Sequence, residues 1–427
     1  MNKYYPAAKV IQVLNSEGYD AFLVGGCVRN FIMGMLPSDY DIATNANTAQ
    51  IEALFDYRAV GSGEKHGTVL VMLSGIDHKI EVTAYRDGAK TLRDDLSHRD
   101  FTINAMAYHP SEGIIDPFGG QEDIKHHIIR GVIDPAQRFR EDPLRILRGL
   151  RFASVLGFGL EEETLRAVHE LSGLLDSVAP ERIRDELTKI LCGSCAENIL
   201  NEFADVFCAV IPEMKAMRGF SQHNSHHYLD VYAHTVKVVS ASENIPELRW
   251  AALLHDIAKP ECYFMDENGQ GHFYGHDQRG AEIAGEIMDR LKFDGRTKST
   301  VKLLIGAHCI HFPANRRTAR RLLARYGSEN VNKLLSLQRA DLAGHVFSEE
   351  IMREYEEAVR LVHEAEEENA CLKVRDLAVD GYDMKARGLE GAEIGHALSA
   401  LLEAVIDERV PNEREELLNF LRVGILA

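Results

Sequence analysis

The chain has 427 residues, room for three or four units of about 100–200 residues each. Hydrophobic residues make up 45% and charged residues 27%, with no run near the roughly 18 apolar residues of a membrane span and no secretion signal in "MNKYYPAAKV", so a cytoplasmic location is expected and a membrane partner is not. Seven scattered cysteines exclude a disulfide framework, and a net charge of −18 excludes a general polyanion binder while leaving room for a local basic surface.

The first 110 residues mix short alternating runs with helical ones. "DAFLVGG", "DYDIAT", "GTVLVML" and "HKIEVTAY" read as strands and "TAQIEALFD" as a helix, which gives a small α/β head. Side chains alternate along a strand, so Asp39 and Asp41 share one face while Tyr40 and Ile42 take the other. Two carboxylates on one face suit divalent cations, and magnesium in particular prefers oxygen ligands and substrate phosphates. Gly25 and Gly26 let backbone approach a triphosphate, and Arg29 is placed to pair with its oxygens. Glu81 either completes the metal site or is simply solvated.

"SHRDFTINAMAY" is expected to begin a helix, with Asp100 as N-cap or as acceptor of a ribose hydroxyl, Arg99 on phosphate and Asn104 one turn further on. After about residue 137 strand signals nearly vanish, and the remainder is expected to be helical. In "RFREDPLRILRGLRF" Asp142 and Arg145 are three apart on an expected helix. They make either a surface ion pair or a reading head in which Asp accepts from an exocyclic amine and Arg donates to the adjacent acceptor. Cytosine and adenine both present that pattern; uracil and guanine do not. "LCGSC" (Cys192, Cys195) has metal-ligand spacing but no second pair, and buried helical thiols are the expectation. Residues 295–328 contain eight basic residues and no acid, either a solvated helix face or a phosphate-binding surface; residues 349–369 carry nine acids.

In order, "GGCVRN", "PSDYDIAT", "GEKHGTVLV", "HRDFTINAMAY", "DPFGG" and "REDPLRILRGLRFAS" resemble the class II tRNA nucleotidyltransferases, the CCA-adding enzymes, and the related bacterial poly(A) polymerases. The resemblance implies an α+β chain: a polymerase-β-like nucleotidyltransferase head (1–137), a helical neck (138–222), an HD domain (223–345) and a helical, tRNA-binding tail (346–427). It further implies that Asp39 and Asp41 bind the catalytic metals, that Arg99 and Asp100 contact the nucleotide, and that Asp142 with Arg145 select CTP and ATP; Gly25, Gly26, Arg29, Asn104 and Arg148 are expected in the same nucleotide site, with Mg2+ as the metal. Two departures stand out: Arg29-Asn30 replaces the usual Arg-Asp, and His98-Arg99-Asp100 the usual Arg-Arg-Asp. Only residues 87–97 separate "TAYR" from "HRD", a short loop of the kind found in relatives that stop after CC.

Further along, His234, His255-Asp256 and Asp341 resemble the H…HD…D ligand set of HD-domain phosphohydrolases, with His276 and His308 available for a second divalent ion. The expected function is addition of CCA, or CC alone, to tRNA. The alternatives are a poly(A) polymerase and a phosphohydrolase whose head only binds RNA.

Overall fold

The computed structural model describes residues 5–37, 39–55, 57–58, 67–71, 79–224, 228–368 and 371–424. Ser38, the "GEKH" of the third motif, His226 and His227 lie outside them. The chain divides into two units, residues 1–212 and 213–427, taken in turn.

In the first unit all four expected strands form: β1 (Ala21–Val24), β2 (Asp39–Thr44), β4 (Thr68–Val71) and β5 (Lys79–Ala84), joined by β3 (Tyr57–Arg58), β6 (Ala107–His109) and β7 (Gly113–Ile115). They make one sheet in the order β3-β4-β5-β2-β1-β6-β7. Only β2 and β5 pair in parallel, and their register sets Asp41 opposite Glu81. The connection between them carries the expected helix, Thr48–Leu54, started by a capping box in which Asn47 and Gln50 satisfy each other's backbone N–H. Burial alternates as predicted: Tyr40 and Ile42 are buried, Asp39 is exposed.

The helix expected in "SHRDFTINAMAY" does not form. A single 3-10 turn, Thr102–Asn104, leads into β6. Its backbone is tied to a distant segment: Thr102 N donates to Arg130 O, and Asp100 O accepts from Val132 N. Phe101, Ile103, Ala105 and Met106 are all fully buried, so the segment is a core thread with no solvent face. Phe101 meets Phe139 and Phe152 edge-on and packs on Gly149, where a Cβ would come within 3.0 Å of its ring. This seat fixes the neighbouring Arg99 and Asp100.

A second correction concerns Asp142 and Arg145, which do not share a helix. One helix runs Pro135–Glu141 and the next Leu144–Leu156, with Asp142 in extended conformation at the break before Pro143. The second helix packs on Pro180–Leu191, locked by Arg151 Nε 3.2 Å from Glu186 Oε2. Cys192 and Cys195 are half-buried at the turn after that helix, not buried within it.

The second unit is helical apart from the two-residue pairing of Phe264–Met265 with Gly271–His272. Helices Val231–Ala241, Pro246–Leu254, His276–Arg290, Gly295–Ala307 and Ser328–Leu342 form its first part. The tail helices Gly381–Ala386, Ala392–Ile406 and Arg414–Gly424 build a separate core around Met384, Leu401, Leu417 and Leu421. The basic helix Arg316–Tyr326 packs on the acidic helix Glu349–Glu367, and its arginines are largely paired. Arg316 and Arg320 meet Glu368, Arg320 also reaches Glu408 at 2.9 Å, and Arg321 meets Asp407 at 2.9 Å. Arg317 and Arg325 stay exposed. Among the described residues no helix is long and apolar enough to cross a membrane.

Candidate active sites

A cavity of about 1320 Å³ in the first unit gathers most of the residues singled out in the head and neck. Gly25, Gly26, Arg29, Asp39, Asp41, Arg99, Asp100, Asn104, Asp142, Arg145 and Arg148 all line it; Glu81 does not. Seven arginines face five carboxylates there, so the lining is net positive on a chain of −18. The sequence reading missed Arg86, Arg151 and Arg182 and did not use Glu141, though "TAYR" and "REDP" contain two of these four.

Asp41 is partly buried, and burial, followed by the repulsion of Asp39, raises its carboxyl against the pull of Arg99. Glu81 is raised by burial and then by Asp41 and Asp39. Such mutually repelling oxygens fit a hard dication. Glu81, however, does not form a group of three ligand atoms within 4.8 Å with the two aspartates. Gly25 is required here: it sits at φ +75°, and a Cβ would lie 3.1 Å from Arg99 Nη1 and 3.4 Å from Asp41 Oδ2.

One chain of hydrogen bonds crosses the cavity floor. Arg29 Nη1 donates to Asn104 Oδ1 at 2.8 Å, Asn104 Nδ2 to Asp100 Oδ1 at 3.1 Å, and Arg148 Nε to Asp100 Oδ2 at 2.9 Å. With Phe101 N also on Oδ1 and Arg148 Nη2 on Oδ2, protein donors fill both Asp100 oxygens. Burial would raise this carboxyl, but Arg148 and these hydrogen bonds hold it well below the usual range. The guanidinium groups of Arg29, Arg148 and Arg151 surround the Phe152 ring at 5.0, 5.8 and 4.4 Å.

At the neck wall Asp142 and Arg145 do not pair with each other. Asp142 Oδ2 accepts from Arg182 Nη2 at 2.9 Å, whereas Arg145 donates to Glu141, to His98 O at 2.9 Å and to Arg138 O at 3.2 Å. Arg182 lies 40 positions from Asp142, beyond any local spacing rule.

The second unit holds another cluster. His234 Nε2 lies 2.9 Å from Asp341 Oδ1 and 3.4 Å from His255 Nε2, which is 3.2 Å from Asp256 Oδ2. His255 Nδ1 donates to Ala252 O at 2.9 Å and His234 Nδ1 faces Gly344 O at 3.3 Å, so both turn Nε2 inward. Gly344 is obligatory, since a Cβ would fall 2.4 Å from His234 Nδ1. Asp256 is 1% exposed, and neither carboxylate oxygen accepts a hydrogen bond of good geometry, although Lys259 Nζ stands 2.7 Å from Oδ2. A buried carboxylate with Oδ1 unsatisfied, among inward imidazoles, fits a divalent cation. Burial opposes charge on His255, but Asp256 and Asp341 prevail and raise it to about 10; burial and the neighbouring His255 lower His308 to about 4.

A family profile described as "Poly A polymerase head domain" matches residues 21–130, "Probable RNA and SrmB- binding site of polymerase A" matches 157–217 and "HD domain" matches 225–379. The chain is 36% identical over 337 residues to the A-adding tRNA nucleotidyltransferase of Deinococcus radiodurans, covering 75% of this chain and 76% of that one. It belongs to the family of tRNA nucleotidyltransferases and poly(A) polymerases. A CCA-adding enzyme of Lactobacillus helveticus is 28% identical over 98% of this chain and 96% of its own length. The Bacillus stearothermophilus CCA-adding enzyme in complex with CTP superposes with a TM-score of 0.74, covering 99% of this nucleotidyltransferase and 97% of that chain at 28% identity. The departure at Asn30 is locally satisfied: its Oδ1 accepts from Arg29 Nη2 at 2.9 Å, as the family's aspartate oxygen can. At His98 the backbone carbonyl contacts the neck through Arg145.

Proposed function

We propose that this nucleotidyltransferase extends the 3′ end of tRNA with C and A from CTP and ATP, without a nucleic-acid template. The observation that carries the reading is one cavity lined both by Asp39 and Asp41 and by Asp142, Arg145 and Arg182. It exceeds the ~300–1,000 Å³ of a small-ligand site, leaving room for a nucleotide and an RNA end.

Asp39 and Asp41, with Glu81 beside them, would hold Mg2+, which when bound neutralises phosphate charge and activates a hydroxyl. Arg29, Arg86, Arg99 and Arg148 bind the triphosphate, Asp100 and Asn104 hold Arg29 and Arg148 in place, and Gly25 and Gly26 admit the phosphates to the backbone. The RNA 3′ hydroxyl attacks the α-phosphorus as the bond to pyrophosphate breaks. Asp142 accepts from the amine of C or A while Arg145 or Arg182 donates to the adjacent acceptor; U and G leave these groups unpaired. The neck (138–222) and tail (346–427) hold the tRNA by shape and backbone, and a cytoplasmic location goes with these substrates. In the HD domain (223–345), His234, His255, Asp256 and Asp341 would hold a divalent cation, which when bound supplies an ionised water for phosphoester hydrolysis.

Purified protein incubated with tRNA lacking its last three nucleotides, or ending in CC, plus labelled CTP or ATP tests the reading. CCA is the expected product. Products ending at CC, or A added only to tRNA that ends in CC, restrict the chain to part of the sequence. Long A tails favour the polymerase, and phosphate release without incorporation removes the proposal.

A further inference from the structure

Beside the His234/His255/Asp341 group lies a second set of inward-facing donors. His276 opens the helix His276–Arg290, and His308 with Cys309 closes Gly295–Ala307. His276 Nδ1 donates to Phe273 O at 2.7 Å and His308 Nδ1 to Ile305 O at 2.6 Å. Carbonyl oxygens only accept, so both ring protons are fixed on Nδ1 and both Nε2 lone pairs point inward, 3.3 Å apart. Two facing nitrogens at this distance need a proton or a metal cation between them, and the Cys309 thiol lies within reach of both.

Two further donors converge on the same point. Cys309 Sγ is 3.3 Å from His308 Nε2 and 3.5 Å from His276 Nε2, and Asp256 Oδ1 is 3.5 Å from His276 Nε2 and 3.9 Å from His308 Nε2. Oδ1 is buried and accepts no hydrogen bond, while the other oxygen of Asp256 faces His255. Tetrahedral zinc, with bonds of about 2.0–2.1 Å to nitrogen and about 2.3 Å to sulfur, separates its ligands by roughly 3.3–3.6 Å. His276, His308 and Cys309 come close to those separations, and Asp256 Oδ1 stands 3.5 and 3.9 Å from the two imidazoles as the fourth donor.

We propose that Cys309 is a thiolate ligand of a second cation position, completed by His276, His308 and Asp256 Oδ1, and that sulfur makes this position select zinc, cobalt or nickel over magnesium and manganese. On binding, the Cys309 thiol releases its proton to solvent as the sulfur–metal bond forms. Hard cations gain little from sulfur, whereas borderline ones gain a bond, which sets the preference. The inference rests on the HD cluster being a cation site and is independent of tRNA elongation.

Full-length protein stripped with a chelator and titrated with Co2+ provides the test, read by absorption and by bound equivalents, with neither tRNA nor nucleotide present. Wild type should bind two equivalents, one of them giving a near-ultraviolet sulfur-to-cobalt charge-transfer band. C309S, a near-isosteric change at an exposed residue, should lose the band and weaken zinc at one of two positions by at least ~10-fold, the order seen when supporting groups of metal sites are removed. H234N should lose one equivalent and keep the band. A wild-type protein without the band, a band that survives C309S, or a single equivalent in wild type would overturn the assignment.

Discussion

The two acidic centres of this chain differ in burial and in the kind of donor they offer. Asp39 and Asp41 stand at the edge of a wide cavity, with oxygen donors only and Asp39 exposed. The HD cluster sinks its donors almost completely, with His234, His255 and Asp256 at 0–1% exposure, and mixes imidazole with carboxylate. An open, oxygen-only site suits an ion that arrives with a phosphate and leaves with pyrophosphate; a buried mixed site suits a resident ion. On the proposed reading, burial and donor type would separate a shared substrate ion from a kept one.

The strongest way to break this contrast is to remove the head carboxylates. Asp39→Asn with Asp41→Asn should lower nucleotide incorporation by roughly 10³-fold, since the bound ion supplies several kcal/mol of transition-state stabilisation, while HD metal content stays unchanged. Wild-type initial rates in the double variant would sink the head assignment. Brief chelation should come next, cutting incorporation by at least ~10²-fold with full return on adding Mg2+, while elemental analysis still finds most of the HD metal. Loss of both metals at the same rate would erase the distinction.

Base choice is a smaller effect. Asp142→Ala leaves Arg182 without its partner and should relax discrimination against UTP and GTP by about tenfold, the cost of one hydrogen bond left unmade to the wrong base, with little change in triphosphate affinity. Competition among four labelled nucleotides measures it. The smallest effect concerns acid stability. Asp100 is held well below the ordinary carboxyl range, so its contribution to stability is complete above about pH 4 and fades as pH falls below that value. Asp100→Asn should therefore melt below wild type at neutral pH, with the gap narrowing as pH falls below about 4 in thermal scans.

Strand alternation made the sheet legible, and with it the shared face of Asp39 and Asp41, because a period of two survives without knowledge of partners. The core thread at residues 101–106 is not legible as such because a segment buried on every side carries no amphipathic signal, and its backbone partners, Arg130 O among them, lie far along the chain. Pro143 marks the helix break in plain view, whereas the three-residue spacing of Asp142 and Arg145 by itself fits one continuous helix. Arg182 could not be found by spacing, since two packed helices bring it across 40 positions. Cys309 was visible beside His308 in "GAHC"; only the inward turn of both imidazoles shows why the thiol matters.

The pairing of Arg316, Arg320 and Arg321 with Glu368, Asp407 and Glu408 turns a cationic helix into an internal clasp for the tail. Ribonucleic acid landing on it would have to evict those carboxylates, leaving Arg317 and Arg325 as its ready handholds. Rising ionic strength loosens the clasp and masks the handholds together, so brine would unfasten the tail just where it stops helping a polyanion to grip.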